Sequence, residues 1–107
     1  MKLVNLTPHP LNFRFGDTTL TLPLSGQIAR LETQTTTDDA IAGIPVVTTR
    51  FGRVVGLPDP RPNTVYVTSS LVAQAVRRPD VVAPDTGPTA IRENGQVVAV
   101  TRLQRFV

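Results

Sequence analysis

The stretch Leu11–Leu22 reads LNFRFGDTTLTL, and it decides the fold class of the chain. Its phenylalanine and leucine residues alternate with polar residues, which is the period of a strand with one apolar face. At its centre, Gly16-Asp17 suits a two-residue type II′ turn, because glycine adopts positive φ at the first central position. The sequence therefore predicts a β-hairpin that joins Leu11–Phe15 to Thr18–Leu22.

Two further turns predict hairpins later in the chain. Asn94-Gly95 suits a type I′ turn, since both central residues of that turn need positive φ. Phe51-Gly52 also offers a glycine between two β-branched stretches. The strands predicted around these turns are Thr89–Arg92 with Gln96–Leu103, and Pro45–Arg50 with Arg53–Leu57.

The remaining segments before residue 69 predict short strands and polar connections. Gln27–Glu32 and Thr64–Thr68 have the alternation or β-branched content of strands. Thr33–Gly43, with four threonines and Asp38-Asp39, predicts a solvated loop or a single irregular turn. The proline-rich Pro58–Pro62 predicts an extended surface connection, because proline has no N–H to donate to a neighbouring strand.

One segment predicts a helix. Ser69 or Ser70 can cap it, and the apolar residues of Leu71–Val76 follow at helical spacing. Arg77 and Arg78 come at the C-terminal end, where the helix dipole favours cations, and a proline ends the helix. The predicted fold is therefore mostly β (a β-rich α+β class): a small curved antiparallel sheet or partly open barrel, with the helix over one opening.

Composition sets limits on function. The 107 residues are the usual size of one domain, and we expect a single domain spanning 1–107. The absence of cysteine excludes disulfides, cysteine-based zinc sites and cysteine nucleophiles.

The sequence contains no pattern typical of a signal peptide or a membrane span. Pro8 interrupts the start before an apolar signal segment could form, and no apolar run approaches the length of a membrane span. We expect a cytoplasmic protein without a cofactor and without membrane contact.

The basic residues are ten arginines and one lysine, and the net charge is +3. Arginine binds phosphates and carboxylates in a planar, bidentate geometry, so this composition suggests an anionic ligand. A GC-rich genome, whose codons favour arginine, is the alternative explanation. Nucleic-acid binding is not expected, because the phenylalanines are better suited to the core than to base stacking.

His9 is the single histidine of the chain, in the rigid segment Thr7–Pro10. It could bind a ligand or act as a general base near neutral pH. The alternative is a turn residue whose imidazole bonds to nearby backbone. No second histidine and no triad partner stands at a supporting spacing, so no catalytic or metal role is expected.

Two polar clusters could bind an anion. Thr68, Ser69 and Ser70 would place hydroxyls and free N–H groups at the start of the helix, although helix capping explains the serines equally well. Asp80 and the loop Asp85-Thr86 form the second cluster, for which turn chemistry is the alternative. Asp38-Asp39 lacks a third ligand for a metal.

Four stretches of the chain resemble a family of small bacteriophage, prophage and bacterial proteins that begin with a VNLTPH motif. The stretches are Val4–Pro10, Ile44–Val47 with Phe51–Pro60, Thr64–Ala73 and Arg78–Pro88. The resemblance implies no established activity. It implies a context in which small phage proteins inhibit host systems or sequester their ligands.

These observations predict a non-catalytic binding module for a small anionic or nucleotide-like ligand, such as a signalling nucleotide of host defence. The predicted pocket residues are His9, Thr68, Ser69, Ser70, Arg77, Arg78, Asp80, Asp85 and Thr86. The alternatives are a protein–protein module that inhibits a host enzyme, and an enzyme acting through His9. A homo-oligomer could form through the edge of the Gln96–Val107 strand, where no charge blunts the apolar residues.

Overall fold

The computed structural model describes all residues, Met1–Val107, and consists of ten strands and one short helix. The β-rich α+β class predicted from the sequence is confirmed. The elements are β1 (Lys2–Asn5), β2 (Leu11–Phe15), β3 (Thr18–Leu22), β4 (Arg30–Ile41), β5 (Ile44–Val55), β6 (Thr64–Val67), α1 (Ser70–Val76), β7 (Val81–Pro84), β8 (Ile91–Glu93), β9 (Gln96–Ala99) and β10 (Leu103–Arg105).

The central sheet has the order β1-β6-β7-β10, and it is mixed rather than antiparallel. β6 runs parallel to both β1 and β7, whereas β10 is antiparallel to β7. The parallel pair β6–β7 follows from the helix, because a chain that leaves one strand and returns beside it in the same direction needs a crossover. The other three sheets are separate two-stranded hairpins, and none of the sheets closes into a barrel.

The helix α1 covers the central sheet and completes the core. Val72 and Ala73 are buried in a cluster with residues of β6 and β7. Ser69 is the N-cap, and its hydroxyl accepts a hydrogen bond from the Val72 N–H. Arg77 and Arg78 follow the C-terminal end of the helix, as predicted. Arg77 is the C-cap residue in the left-handed conformation, so neither arginine lies within the last helical turn.

Two of the predicted hairpins are confirmed. β2 pairs with β3 across Gly16-Asp17, and Gly16 has the positive φ of 56° that its turn position needs. β8 pairs with β9 across Asn94-Gly95, whose φ values are 52° and 80°, as a type I′ turn requires. The predicted continuous strand Gln96–Leu103 is wrong. The chain leaves β9 after Ala99, because the Val100 N–H and C=O bond to β2 instead.

The hairpin predicted around Phe51-Gly52 and the loop predicted at Thr33–Gly43 are both wrong. Both segments belong to one long ribbon of β4 and β5, which turns at Ala42-Gly43. Gly52 instead lies within β5 at an irregularity opposite Glu32. The predicted strand Gln27–Glu32 contributes only its last three residues to β4.

The ribbon gives the molecule an extended shape. The radius of gyration is 16.3 Å, compared with about 13 Å for a compact domain of this length. Only Leu31 and Val54, near its base, pack against the core cluster. Near the tip, Ile41 and Ile44 are 67% and 65% exposed. The main core cluster therefore lies in the central sheet, its helix and the segments that adjoin them, while Phe13 and Ala99 are buried where β2 meets β9.

Candidate functional site

A cleft of about 480 Å³ lies along β1, the outermost strand of the central sheet on one side. Its walls come from β1, the segment after β3, and the proline-rich connection before β6. β1 has no neighbouring strand on this side, and its residues Lys2–Asn5 line the cleft. The other lining residues are Leu22, Pro23, Leu24, Ser25, Gln27, Pro58, Arg61, Thr64 and Tyr66.

The charged side chains that line this cleft are Lys2 and Arg61, and no acidic residue lines it. Neither cation makes a hydrogen bond or salt bridge through its side chain within the chain. Leu24, which is 50% exposed, offers an apolar surface beside them. The cleft thus combines positive charge that has no partner within the chain with an apolar wall.

The buried amide of Asn5 holds one end of the cleft. Its Oδ1 accepts hydrogen bonds from the Thr7 N–H at 2.9 Å and the Thr7 hydroxyl at 2.6 Å. Its Nδ2 donates to the carbonyls of His9 at 2.8 Å and Leu22 at 3.3 Å. Asn5 is 1% exposed, so this network is the internal scaffold of the turn that follows β1. The VNLTPHP segment is therefore explained by a structural turn.

The opposite wall is fixed by short-range polar contacts. The Ser25 hydroxyl donates to the Gln27 carbonyl and accepts from the Gln27 N–H, both at 3.2 Å. The Tyr66 hydroxyl donates to the Asp59 carbonyl at 3.2 Å, which holds the proline-rich connection against β6. These contacts give the cleft a defined shape through local side chain to backbone bonding.

His9 lies on the surface of the turn. Its backbone carbonyl accepts a hydrogen bond from the Asn5 amide. The imidazole is exposed to solvent and makes no hydrogen bond within the chain, so the predicted bond from the imidazole to nearby backbone is wrong. His9 contributes to the turn through its carbonyl instead.

The hydroxyl groups of Thr68, Ser69 and Ser70 already make hydrogen bonds within the chain. Thr68 is fully buried, and its hydroxyl donates to the Ser69 carbonyl at 2.9 Å. The Ser69 hydroxyl caps α1, and the Ser70 hydroxyl accepts from the Gln74 amide at 2.8 Å.

The side chains of Arg77 and Arg78 bind groups within the chain on the C-terminal side of the helix. Arg77 donates to the Val107 carbonyl. Arg78 donates two hydrogen bonds to the Asp80 carboxylate, at 2.9 and 2.6 Å, and also reaches the Pro58 carbonyl at 3.2 Å. The Arg78 hydrogen bond holds the pKa of Asp80 below its usual value, against the opposing effect of burial.

Asp85 and Thr86 organise the loop between β7 and β8. The Asp85 carboxylate accepts from the Gly87 N–H at 3.0 Å and from Arg102 at 2.7 Å. The Arg102 hydrogen bond is the main cause of the lowered pKa of Asp85. The Thr86 carbonyl accepts from Arg92 at 2.6 Å.

The structure does not gather the predicted pocket residues around one cavity. Hydrogen bonds join Thr68 to Ser69 and Arg78 to Asp80, while the other predicted residues bond to groups outside the predicted set. Most arginines near the C-terminal half tie loops to carbonyls or carboxylates: Arg77, Arg78, Arg92, Arg102 and Arg105.

Lys2 and Arg61 were missed by the sequence analysis. A signal was present, because Lys2 is the only lysine and Arg61 lies in the rigid proline-rich connection. Their proximity depends on the parallel pairing of β1 with β6, which places Lys2 opposite Thr64. That pairing joins segments far apart in the chain and leaves no local sequence pattern.

A second, apolar groove of about 300 Å³ lies between the β2–β3 hairpin and β10. Phe15 and Leu20 line it and are 46% and 39% exposed. Arg102 is the charged residue that lines the groove, and its guanidinium is already paired with the Asp85 carboxylate. This surface suits an apolar side chain rather than an anion.

Comparisons with known proteins identify no matching family model, no matching curated protein and no matching solved structure. The resemblance to the VNLTPH proteins therefore stays a prediction. The helix α1 is not long and apolar enough to cross a membrane. No group of three or more histidine, cysteine, aspartate or glutamate side chains is placed to hold a metal ion.

Proposed function

We propose that this protein is a non-catalytic binding module that takes a small anionic or nucleotide-like ligand in the cleft beside β1. The observation that carries the proposal is that Lys2 and Arg61 line the same cleft without any acidic residue, while the later arginines of the chain, from Arg77 on, are bound within the chain. A cation without an internal partner keeps its full capacity to bind a phosphate or carboxylate.

The size of the cleft favours a ligand larger than inorganic phosphate. Its volume of about 480 Å³ is within the range of sites for small organic ligands. The anionic group would contact Lys2 and Arg61, and the rest of the ligand would lie against Leu24 and Pro58. The side-chain amide of Gln27 would supply a hydrogen bond at the rim.

The biological role that we propose follows from the resemblance to phage and prophage proteins. A small module that binds a nucleotide without converting it would sequester that nucleotide in the host cytoplasm. Signalling nucleotides of host defence are the class of ligand that such a protein would remove. The binding chemistry in the cleft is compatible with this role, since it offers charge and shape without a reactive group.

Thermal shift with matched ligand pairs tests the proposal. Nucleoside monophosphates and cyclic dinucleotides should raise the Tm, whereas the corresponding uncharged nucleosides should not. A ligand at 100 times its Kd adds about 2.7 kcal/mol to the free energy of unfolding. Arg61→Ala and Lys2→Ala should each weaken binding about tenfold or more, as expected when a charge-assisted hydrogen bond is lost.

Arg14→Ala is the matched control, because Arg14 is exposed on β2, outside the cleft, and its side chain makes no hydrogen bond. This variant should bind like the wild type. Absence of binding across the ligand panel, or equal binding by the Arg61→Ala and wild-type proteins, would contradict the proposal.

A protein–protein module that inhibits a host enzyme is the second candidate, and the apolar groove at Phe15 and Leu20 favours it. A pull-down from host lysate, compared with the variant Phe15→Asp, separates this candidate from the first. An enzyme acting through His9 is the third, and an unchanged phenotype in His9→Ala would remove it.

A further inference from the structure

The β4–β5 ribbon extends from the core without a third strand beside it. Residues 32–41 of β4 and 49–53 of β5 are exposed on both faces. A two-stranded ribbon is marginally stable in water by itself, and three or more strands are usually needed. The ribbon therefore has two unpaired edges, and pairing with a further strand would stabilise it.

The two edges differ in how they are protected. β5 contains Pro45 near its start and Gly52 near its end, and Arg50 lies between them. Proline, glycine and charge are the features that discourage pairing at an edge. The middle of β4, Thr33–Thr37, contains none of these and is rich in β-branched threonine, which favours strand pairing. The corresponding run in β5, Val46–Thr49, is one residue shorter and is bounded directly by Pro45 and Arg50. The more available edge is thus β4.

The sequence of β4 is complementary to itself in an antiparallel arrangement. In a two-fold pairing centred on Thr36, Thr35 faces Thr37 of a second copy and Gln34 faces Asp38 of that copy. An amide can donate to a carboxylate across this pair, and no like charges stand directly opposite each other. Moving the centre to Thr35 would oppose Glu32 to Asp38, and moving it to Thr37 would shorten the overlap.

We propose that two copies of this chain pair through the edges of their β4 strands, in antiparallel orientation with the two-fold axis at Thr36. The product is a continuous four-stranded sheet in the order β5-β4-β4-β5. The same patch serves both copies, as a closed two-fold dimer requires. The proposal is independent of the cleft, which lies at β1.

In the Gln96–Val107 edge predicted from the sequence for self-association, the free edge of β10 is only three residues long, and the apolar part before it is less available. β9 pairs with β8 on one side. Val100, which follows β9, bonds through its N–H and C=O to Asn12 and Arg14 of β2. The dimer edge that we propose is therefore on a different element from the predicted one.

Disulfide trapping tests the register directly, because the chain has no cysteine of its own. In Thr36→Cys the two thiols of the dimer would lie opposite each other, with Cα atoms about 5 Å apart, which permits a disulfide. The matched control is Thr49→Cys, at an exposed threonine on β5. Its two positions would be separated by three strand spacings and offset by two residues along the strand, a distance of about 16 Å.

We expect wild-type protein at about 50 μM to have the mass of a dimer in light scattering, consistent with strand addition at a free edge. Under mild oxidation, Thr36→Cys should form covalent dimer at least tenfold faster than Thr49→Cys. Circular dichroism of both reduced variants checks that they are folded. A monomeric mass for the wild type, equal rates for the two variants, or faster trapping of Thr49→Cys would each overturn the proposal.

Discussion

Asn5 and Thr68 are the two buried polar residues of the chain, and both are bonded to neighbouring backbone. The two side chains differ in how far along the sequence their hydrogen-bond partners lie. Thr68 bonds locally beside the helix cap, whereas the Asn5 amide connects β1 to the turn at His9 and to the end of β3 at Leu22. A single side chain thus joins the central sheet to the first hairpin and shapes one end of the cleft.

Asn5→Asp should destabilise the fold by about 1–3 kcal/mol or more, because the new carboxylate cannot donate to the His9 and Leu22 carbonyls and opposes them with charge. Urea unfolding followed by circular dichroism measures the loss. Asn12→Asp, at an exposed asparagine in β2, should change stability by less than about 0.5 kcal/mol. Equal effects for the two variants would show that the Asn5 network does not hold the turn.

Asp80 should make stability depend on acid. Its pKa is lowered in the folded state, chiefly by the Arg78 hydrogen bond, so the unfolded chain binds more protons in that range. The contribution of Asp80 is present above the ordinary aspartate pKa of about 3.9 and is lost as the pH falls through the lowered folded value. Wild-type stability should therefore decrease on acidification below about pH 4.

Arg78→Gln should flatten this acid dependence although Asp80 is still present, because the partner that lowers the Asp80 pKa is gone. It should also lower stability at pH 7 by about 2 kcal/mol, as expected for hydrogen bonds to a charged group. Urea unfolding at pH 7, 5, 4 and 3 measures both effects. An unchanged slope in Arg78→Gln would mean that other carboxylates control the acid transition.

Secondary-structure elements that depend on a few adjacent residues are predicted correctly from the sequence. Gly16-Asp17, Asn94-Gly95 and the serine-capped helix each carry their information within a few adjacent residues, and all three are present in the structure. The ribbon was missed because its two faces are both exposed. Without a buried face, the threonine-rich β4 shows no apolar alternation, and its polar composition resembles that of a loop.

The turn of the ribbon is strained. Ala42 has φ of 51°, in the left-handed region that favours glycine and asparagine, and Gly43 follows with φ of 78°. Asn-Gly is the preferred pair for a turn with two positive φ values. We expect Ala42→Asn to raise stability by about 0.5–1 kcal/mol through relief of this strain.

Chemical denaturation of Ala42→Asn tests this gain, with Ala40→Asn as the control at a neighbouring exposed position of β4. The control should give no gain, because Ala40 does not have positive φ. A stability increase in the control but not in Ala42→Asn would contradict the assignment of the turn.

At the scale of the whole molecule, the sequence predicted the class but not the topology. β7 was overlooked, although Val81-Val82-Ala83 is an uninterrupted apolar run of the kind found in strands that are buried on both faces. The candidate cleft was missed for the same reason: its charged residues meet only after β1 joins β6. Local patterns cannot show which distant strand becomes a neighbour.

The position of β1 at the edge of the sheet has a consequence for the order in which the chain acquires its structure. Its partner β6 lies roughly 60 residues later, and closing a loop of that length costs entropy before any pairing repays it. On a translating ribosome, the first strand must wait until β6 has emerged. The β4–β5 ribbon, which can close locally at its turn, would shorten the remaining loop and so bring the two strands together sooner.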